Sequence, residues 1–152
     1  MKKFVPFDFN GDGVGDILWH NTSGALSIWD SVSAGTSFTK TALSDAPTSW
    51  SVAGVGDFNN DTFSDILWHN TSGALSLWDS NGSGGFLSKT SLRNPGVAFQ
   101  VQGVADINGD HMADFLMRNS AGATTLWASN GSGGFTQSNI GNVATSWSIQ
   151  GG

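Results

Sequence analysis

The sequence predicts an all-β protein built from three repeats, and three observations support this. The segment DILWHNTSGALS occurs from Asp16 to Ser27 and again, unchanged, from Asp65 to Ser76. All 12 acidic residues are Asp, and Glu, a common helix former, is absent. Gly occurs 21 times, with abundant Ser, Thr, Asn, Phe and Trp, a composition typical of strands joined by tight turns.

The repeats extend over the whole chain with a period of about 49 residues, as the spacing of Asp8, Asp57 and Asp106 shows. We expect a single domain, 1–152, with repeats at about 3–49, 50–98 and 99–146. Residues 147–152 repeat the start of a unit, which predicts an extra inner strand there.

Each repeat is predicted to contain four short strands. In the second repeat, a strand of small residues from Ser51 to Asp57 leads into an acidic loop. The segments DILWHN, ALSLWD and FLSKTSL follow as strands, separated by a TSG turn and an NGSGG turn. Apolar residues run consecutively within the strands, which indicates sheets covered on both faces. Four antiparallel strands in a unit of this length are typical of a β-propeller blade, so we expect three four-stranded blades.

The acidic loops predict three metal sites. They read DFNGDGVGD, DFNNDTFSD and DINGDHMAD, with Asp at positions 1, 5 and 9 and Asn at position 3. Asp and Asn are also good turn formers, but three loops with the same oxygen positions favour a hard cation, and flexible oxygen ligands favour Ca²⁺. The bidentate Glu of an EF-hand is missing. With a backbone carbonyl at position 7, the candidate ligands for up to three Ca²⁺ are Asp8, Asn10, Asp12, Val14, Asp16, Asp57, Asn59, Asp61, Phe63, Asp65, Asp106, Asn108, Asp110, Met112 and Asp114.

With these loops and strands, the sequence resembles the FG-GAP or VCBS repeats of integrin-type β-propellers, whose blades carry a DxDxDGxxD-like calcium loop. The segment DFNGDGVGDILWHNTSGALSIW carries this resemblance, and the NGSGGF turn is similar to that of calcium-containing propeller lectins. The resemblance implies ligands at Asp8, Asn10, Asp12 and Asp16 and at their counterparts. At position 6, Gly13 is replaced by Thr62 and His111, so we expect strain or weaker binding in the second and third loops.

The aromatic and His residues at repeated positions have two interpretations. Recurring Trp rings are typical of blade packing, and a ring at a blade edge would stack on a carbohydrate. His20 and His69 recur with the repeat and Arg118 replaces them in the third, so a structural or hydrogen-bonding role is favoured over catalysis. The candidate ligand-binding residues are Trp19, His20, Trp29, Trp68, His69, Trp78 and Trp127.

Composition narrows the class of function. The net charge of −6 and six scattered basic residues argue against nucleic acid. No apolar run is long enough for membrane insertion, no signal peptide is visible, and there is no Cys. We therefore expect a non-catalytic, calcium-stabilised recognition module, extracellular or at the cell surface. Its partner would be a glycan first, as in a lectin; the alternatives are a structural or adhesive protein-interaction module and, less favoured, a fragment of a propeller enzyme.

Three blades are fewer than the four to eight of known propellers. Three explanations remain open: part of a longer propeller, a homo-oligomer in which two copies supply six blades or three supply nine, and a β-trefoil. The trefoil ranks third because the acidic loops and the DILW strands resemble propeller repeats.

Overall fold

The structure is a computed structural model that describes residues 3–32 and 35–150. This part of the chain contains no α-helix and forms three antiparallel sheets, as predicted. The first sheet contains β1 (Ile17–His20), β2 (Leu26–Val32) and β3 (Ser37–Leu43). The second contains β4 (Trp50–Gly56), β5 (Asp65–Asn70), β6 (Leu75–Ser80) and β7 (Phe86–Ser91), and the third β8 (Phe99–Ala105), β9 (Asp114–Asn119), β10 (Ala123–Ser129) and β11 (Phe135–Asn142).

Within each sheet, every strand pairs with the next strand in the chain, as in a propeller blade. The sheets follow one another without closing into a barrel, so the β-trefoil alternative is wrong. No helix in the described residues is long and apolar enough to cross a membrane.

The first sheet has three strands, whereas the repeat pattern predicts four. Residues 3–7 would supply its inner strand, but Pro6 has no N–H to donate and Phe7 has a φ of 64°, which interrupts extended backbone. Lys3, Phe4 and Pro6 instead line a cavity of about 920 Å³ with residues of β4 and β8. Residues 147–150 form no strand in this structure, and Gly151 and Gly152 of the predicted extra strand lie outside the described residues.

Two apolar seams hold the three sheets together. We call the face of a sheet that meets the preceding repeat its front face and the opposite one its back face. In the first seam, Leu26 and Ile28 on the back of sheet one pack with Ile66, Trp68 and Trp78 on the front of sheet two. The second seam joins Leu67, Leu75 and Leu77 to Phe115, Met117 and Trp127 in the same way. This double coverage explains the consecutive apolar residues.

The innermost strands come closest across the second seam. A Cβ added to Gly54 of β4 would lie 2.2 Å from Cγ2 of Val104 in β8, so only glycine fits without displacing that side chain. A Cβ added to the corresponding residue of β8, Gly103, would have Ile149 Cδ1 as its nearest neighbour, at 3.6 Å. Close approach of inner strands is the geometry of blades arranged around an axis.

Candidate metal centre

The acidic loops begin with an Asp that organises the loop backbone. In the first loop, Asp8 Oδ1 accepts hydrogen bonds from the N–H groups of Gly11 (2.6 Å) and Asp12 (3.0 Å), and Oδ2 accepts from Gly13 (2.8 Å). Asp57 and Asp106 make equivalent bonds in their own loops. The position-1 carboxylate therefore stabilises the curled loop through several backbone donors.

Positions 3 and 5 continue this pattern. Asn10 Oδ1 accepts the Asp12 N–H at 2.9 Å, and Asp12 Oδ1 accepts the Val14 N–H at 2.8 Å. In the second loop the Asn59 side-chain amide also donates to Asp61 Oδ2 at 3.0 Å, and the third loop repeats this contact. The amide thus provides a donor to a carboxylate that would otherwise face only acceptors.

The position-9 Asp is buried and connects the loop to the following hairpin through hydrogen bonds. Asp65 is fully buried; its Oδ2 accepts the Phe58 N–H and its Oδ1 the Ser80 N–H, both at 2.9 Å. Asp16 and Asp114 make the same two bonds in the other repeats. Since both oxygens already accept backbone hydrogen bonds, the first role of position 9 is to fix the loop to its sheet.

Burial and mutual repulsion raise the pKa values of several of these carboxyl groups. Burial, opposed by the two backbone hydrogen bonds and reinforced by the charges of Asp61 and Asp79, raises the pKa of Asp65 to about 8. Burial is also the largest cause of the raised pKa of Asp16 and of Asp57. Burial, more than mutual repulsion, thus disfavours the charged form of these carboxyl groups, and a cation bound nearby would favour it.

The backbone is strained where the sequence departs from glycine. Gly13, Thr62 and His111 at position 6 have φ values of 89°, 77° and 71°. Left-handed backbone is unfavourable for any residue with a Cβ and most of all for β-branched Thr. The strain expected from the substitutions at position 6 is confirmed.

The residues of the acidic loops have the oxygen ligands that a hard cation prefers, but their acidic side chains do not converge on one point. Asp, Asn and carbonyl oxygens are the ligands that Ca²⁺ takes. Among residues 3–32 and 35–150, however, no three acidic or His side chains converge in a group able to hold a metal ion. With position 9 engaged by backbone donors, the candidate donors reduce to two carboxylates, an Asn amide and the position-7 carbonyl in each loop.

The loops also join neighbouring blades. Asp8 O accepts the Ser64 N–H at 2.9 Å across the first seam, and Asp57 O accepts the Ala113 N–H at 2.7 Å across the second. Ser80 Oγ donates to Phe9 O at 3.0 Å across the first seam, and Ser129 Oγ donates to Phe58 O across the second. These serines were not predicted from the sequence, although a Ser follows each position-9 Asp by 15 residues.

A family comparison matches this loop-and-strand unit. The model of the FG-GAP-like repeat matches residues 8–68 and again 57–117, so the two matches together cover 8–117 and begin on the position-1 Asp of the first and second loops. The chain belongs to the FG-GAP-like repeat family. The comparisons with curated proteins and with solved structures found no match.

Most of the candidate ligand-binding aromatic residues lie in the seams between FG-GAP-like repeats. Trp68, Trp78 and Trp127 are buried, and so is His69 of β5. Their burial removes these four residues from the set that a ligand could reach, and the packing interpretation holds for them. Trp29 is half-buried under the Lys40 ammonium, whose Nζ lies 3.9 Å from the ring centre, and Trp19 is exposed.

At the repeated His position, the predicted hydrogen-bonding role is seen for His20 but not for Nε2 of His69. His20 Nε2 lies 2.9 Å from Ala46 O and its ring contacts Trp68 edge-on. Arg118, which replaces it in the third repeat, donates to the equivalent carbonyl of Ala144 at 3.2 Å. His69 Nε2 is buried without a partner among the described residues, and burial lowers the pKa of this ring.

One open cleft lies at the end of the first seam opposite the acidic loops. His20, Asn21 and Thr22 from the end of β1 line it together with Thr48 and Trp50 from the start of β4, and its volume is about 370 Å³. It therefore combines hydroxyl, amide and imidazole groups with one half-buried indole ring.

Proposed function

We propose that this chain of FG-GAP-like repeats is a non-catalytic recognition module whose ligand is a carbohydrate. The observation that supports this is the cleft between the first two blades. Sugars are bound in proteins by an aromatic face that meets their C–H groups and by polar side chains that meet their hydroxyls. Half-buried Trp50 would supply the aromatic face, and Asn21, Thr22 and Thr48, which line the same cleft, the donors and acceptors.

Leu87 offers a control for this proposal, because it is 72% exposed and lies in β7, outside the residues that line the cleft. We expect a glycan array to give binding that Trp50→Ala abolishes and Leu87→Ala leaves within about twofold. A glycan-induced change in Trp fluorescence should follow the same pattern. An array without binding, or equal losses in both variants, would exclude the cleft and favour the alternative, a structural or adhesive module that binds protein.

We also propose that the acidic loops bind Ca²⁺ through positions 1, 3, 5 and 7. The donor types support this proposal, as does the raised pKa of Asp57 at position 1, which is due to burial first and also to the charge of Asp61 at position 5. With two carboxylates to each site, affinity in the range of extracellular modules is expected, with dissociation constants of roughly 10⁻⁴ to 10⁻³ M. Such sites fill only where calcium is millimolar, so the module would act outside the cell or at its surface.

Equilibrium dialysis tests the calcium proposal directly. Three bound ions are expected at saturation, and Asp12→Ala should remove one of them. Asp45→Ala is the control because Asp45 is exposed and outside every loop. Asp30 would be a poor control, since its pKa is raised first by burial and then by the charges of Asp16 and Asp12 in the first loop. Equal calcium binding by wild type and Asp12→Ala would rule out the proposed ligand set.

A further inference from the structure

The front face of the first sheet repeats a seam surface but has no blade against it. The second sheet presents Ile, Trp, Trp and Phe to the first seam. The first sheet carries the same four residue types at equivalent positions: Ile17, Trp19, Trp29 and Phe38 correspond to Ile66, Trp68, Trp78 and Phe86.

Exposure of these residues depends on whether a blade covers them. Trp68 is 1% exposed in the first seam, whereas its counterpart Trp19 is 49% exposed. Ile66 is likewise buried and Ile17 exposed. The first sheet thus presents an indole and aliphatic surface of the kind that the same protein elsewhere buries against the back of a neighbouring blade.

The back face of the third sheet is the complementary unpartnered surface. Leu116 and Leu126 correspond to Leu67 and Leu77 of the second seam but are only half-buried. Ile107, at position 2 of the third loop, is 45% exposed, whereas its counterparts Phe9 and Phe58 are completely buried under the next blade. Each end of the molecule is therefore one half of a seam.

We propose that a second copy of this chain covers both ends, so that the back of each third sheet packs on the front of the other copy's first sheet. The occupant follows from continuity with the two seams already present, because the surface to be covered has the residues that a back face covers within the chain. Two copies give six blades, inside the usual range of four to eight, whereas three give nine. A head-to-tail contact that closes in this way forms a ring instead of a filament.

The segment after β11 is placed to complete the first sheet in the other copy. The N–H of Trp147 donates to Ala144 O at 3.0 Å. The N–H of Trp50 donates to Pro47 O in the same way, in the turn that leads into β4. Arg118 Nη1 holds Trp147 O at 2.7 Å. With the register of β4 and β5, Trp147 would face Asn21 and Ile149 would face Trp19 of the other copy. This addition would pair the free inner edge of β1.

Light scattering after size exclusion tests the proposal on the full chain. Wild type should have twice the 15.8 kDa mass of one chain. Trp19→Lys disables the front and Ile107→Lys the back, and each variant alone should be monomeric, because both interfaces of a closed dimer contain the substituted residue. Leu87→Lys is the control, since Leu87 is 72% exposed and lies in the middle sheet, and it should remain dimeric.

Mixing the two disabled variants distinguishes a lost interface from a lost fold. An equimolar mixture of Trp19→Lys and Ile107→Lys retains one intact front and one intact back, so it should form a dimer with a single interface that neither variant forms alone. A monomeric wild type, or a Trp19→Lys variant that still dimerises, would overturn the proposal. A mixture that stays monomeric would equally overturn the head-to-tail arrangement.

Discussion

Gly54 provides the sharpest test of how the blades pack, because its repeat counterpart is a built-in control. Gly54→Ala places a methyl group 2.2 Å from Val104 Cγ2, whereas Gly103→Ala meets Ile149 at an ordinary contact distance of 3.6 Å. Neither glycine has a positive φ, so the two substitutions differ mainly in available space. Overpacking costs about 1–3 kcal/mol, and replacing Gly by Ala at a compatible position stabilises by about 0.4–1 kcal/mol through the unfolded chain.

We therefore expect Gly54→Ala to lower the free energy of unfolding by about 1–2 kcal/mol and Gly103→Ala to leave it unchanged or raise it slightly. For a chain of this size the melting temperatures of the two variants should differ by roughly 4–8 °C. Thermal unfolding followed by circular dichroism measures both values. Equal melting temperatures would refute the close approach of β4 and β8 across the second seam.

Three further predictions concern the acidic loops. Asp65→Ala leaves the buried N–H groups of Phe58 and Ser80 unpaired and should lower the free energy of unfolding in urea by about 2–5 kcal/mol, with or without calcium. A loss of stability seen only with calcium would contradict the structural role of these hydrogen bonds. Thr62→Gly should stabilise by about 1 kcal/mol in the same assay, because Thr62 has a φ of 77°, and a destabilised variant would contradict the strain. In metal-free protein the free energy of unfolding should fall as pH rises from about 4 to 8, because the folded state keeps a proton on Asp65, with a pKa of about 8, that the unfolded state has lost. Asp65→Asn should make this fall smaller, and an unchanged slope would contradict the assignment.

The sequence predicted what recurs and missed what depends on neighbours. The period of 49 residues and the DILW segments predicted the sheets, because a repeated strand must meet a repeated partner. The first sheet lacks its fourth strand because Pro6 and Phe7 interrupt a segment that the repeat alone would make extended. The seams were predicted as Trp packing, but which rings are buried depends on the presence of a next blade, as Trp19 and Trp68 illustrate.

The residues of the acidic loops were predicted from the sequence, but their hydrogen-bond partners were not. Spacing located each acidic loop and the left-handed position now occupied by Thr62. Spacing could not show that Asp65 accepts hydrogen bonds from two backbone segments, because one donor is the N–H of Ser80, a residue 15 positions away in the next hairpin. Long-range partners of this kind follow from the register of the strands, which a loop motif does not contain.

If the repeated acidic loops bind cations that stabilise the stacked blades, as we propose, the melting temperature must differ between chelator and calcium. With dissociation constants near 10⁻³ M, calcium at about 10 mM would stabilise the folded state by about 1.4 kcal/mol for each site. Three sites would then raise the melting temperature by roughly 8–16 °C, and magnesium at the same concentration by much less. Superimposed melting curves in excess chelator and in calcium would contradict the claim.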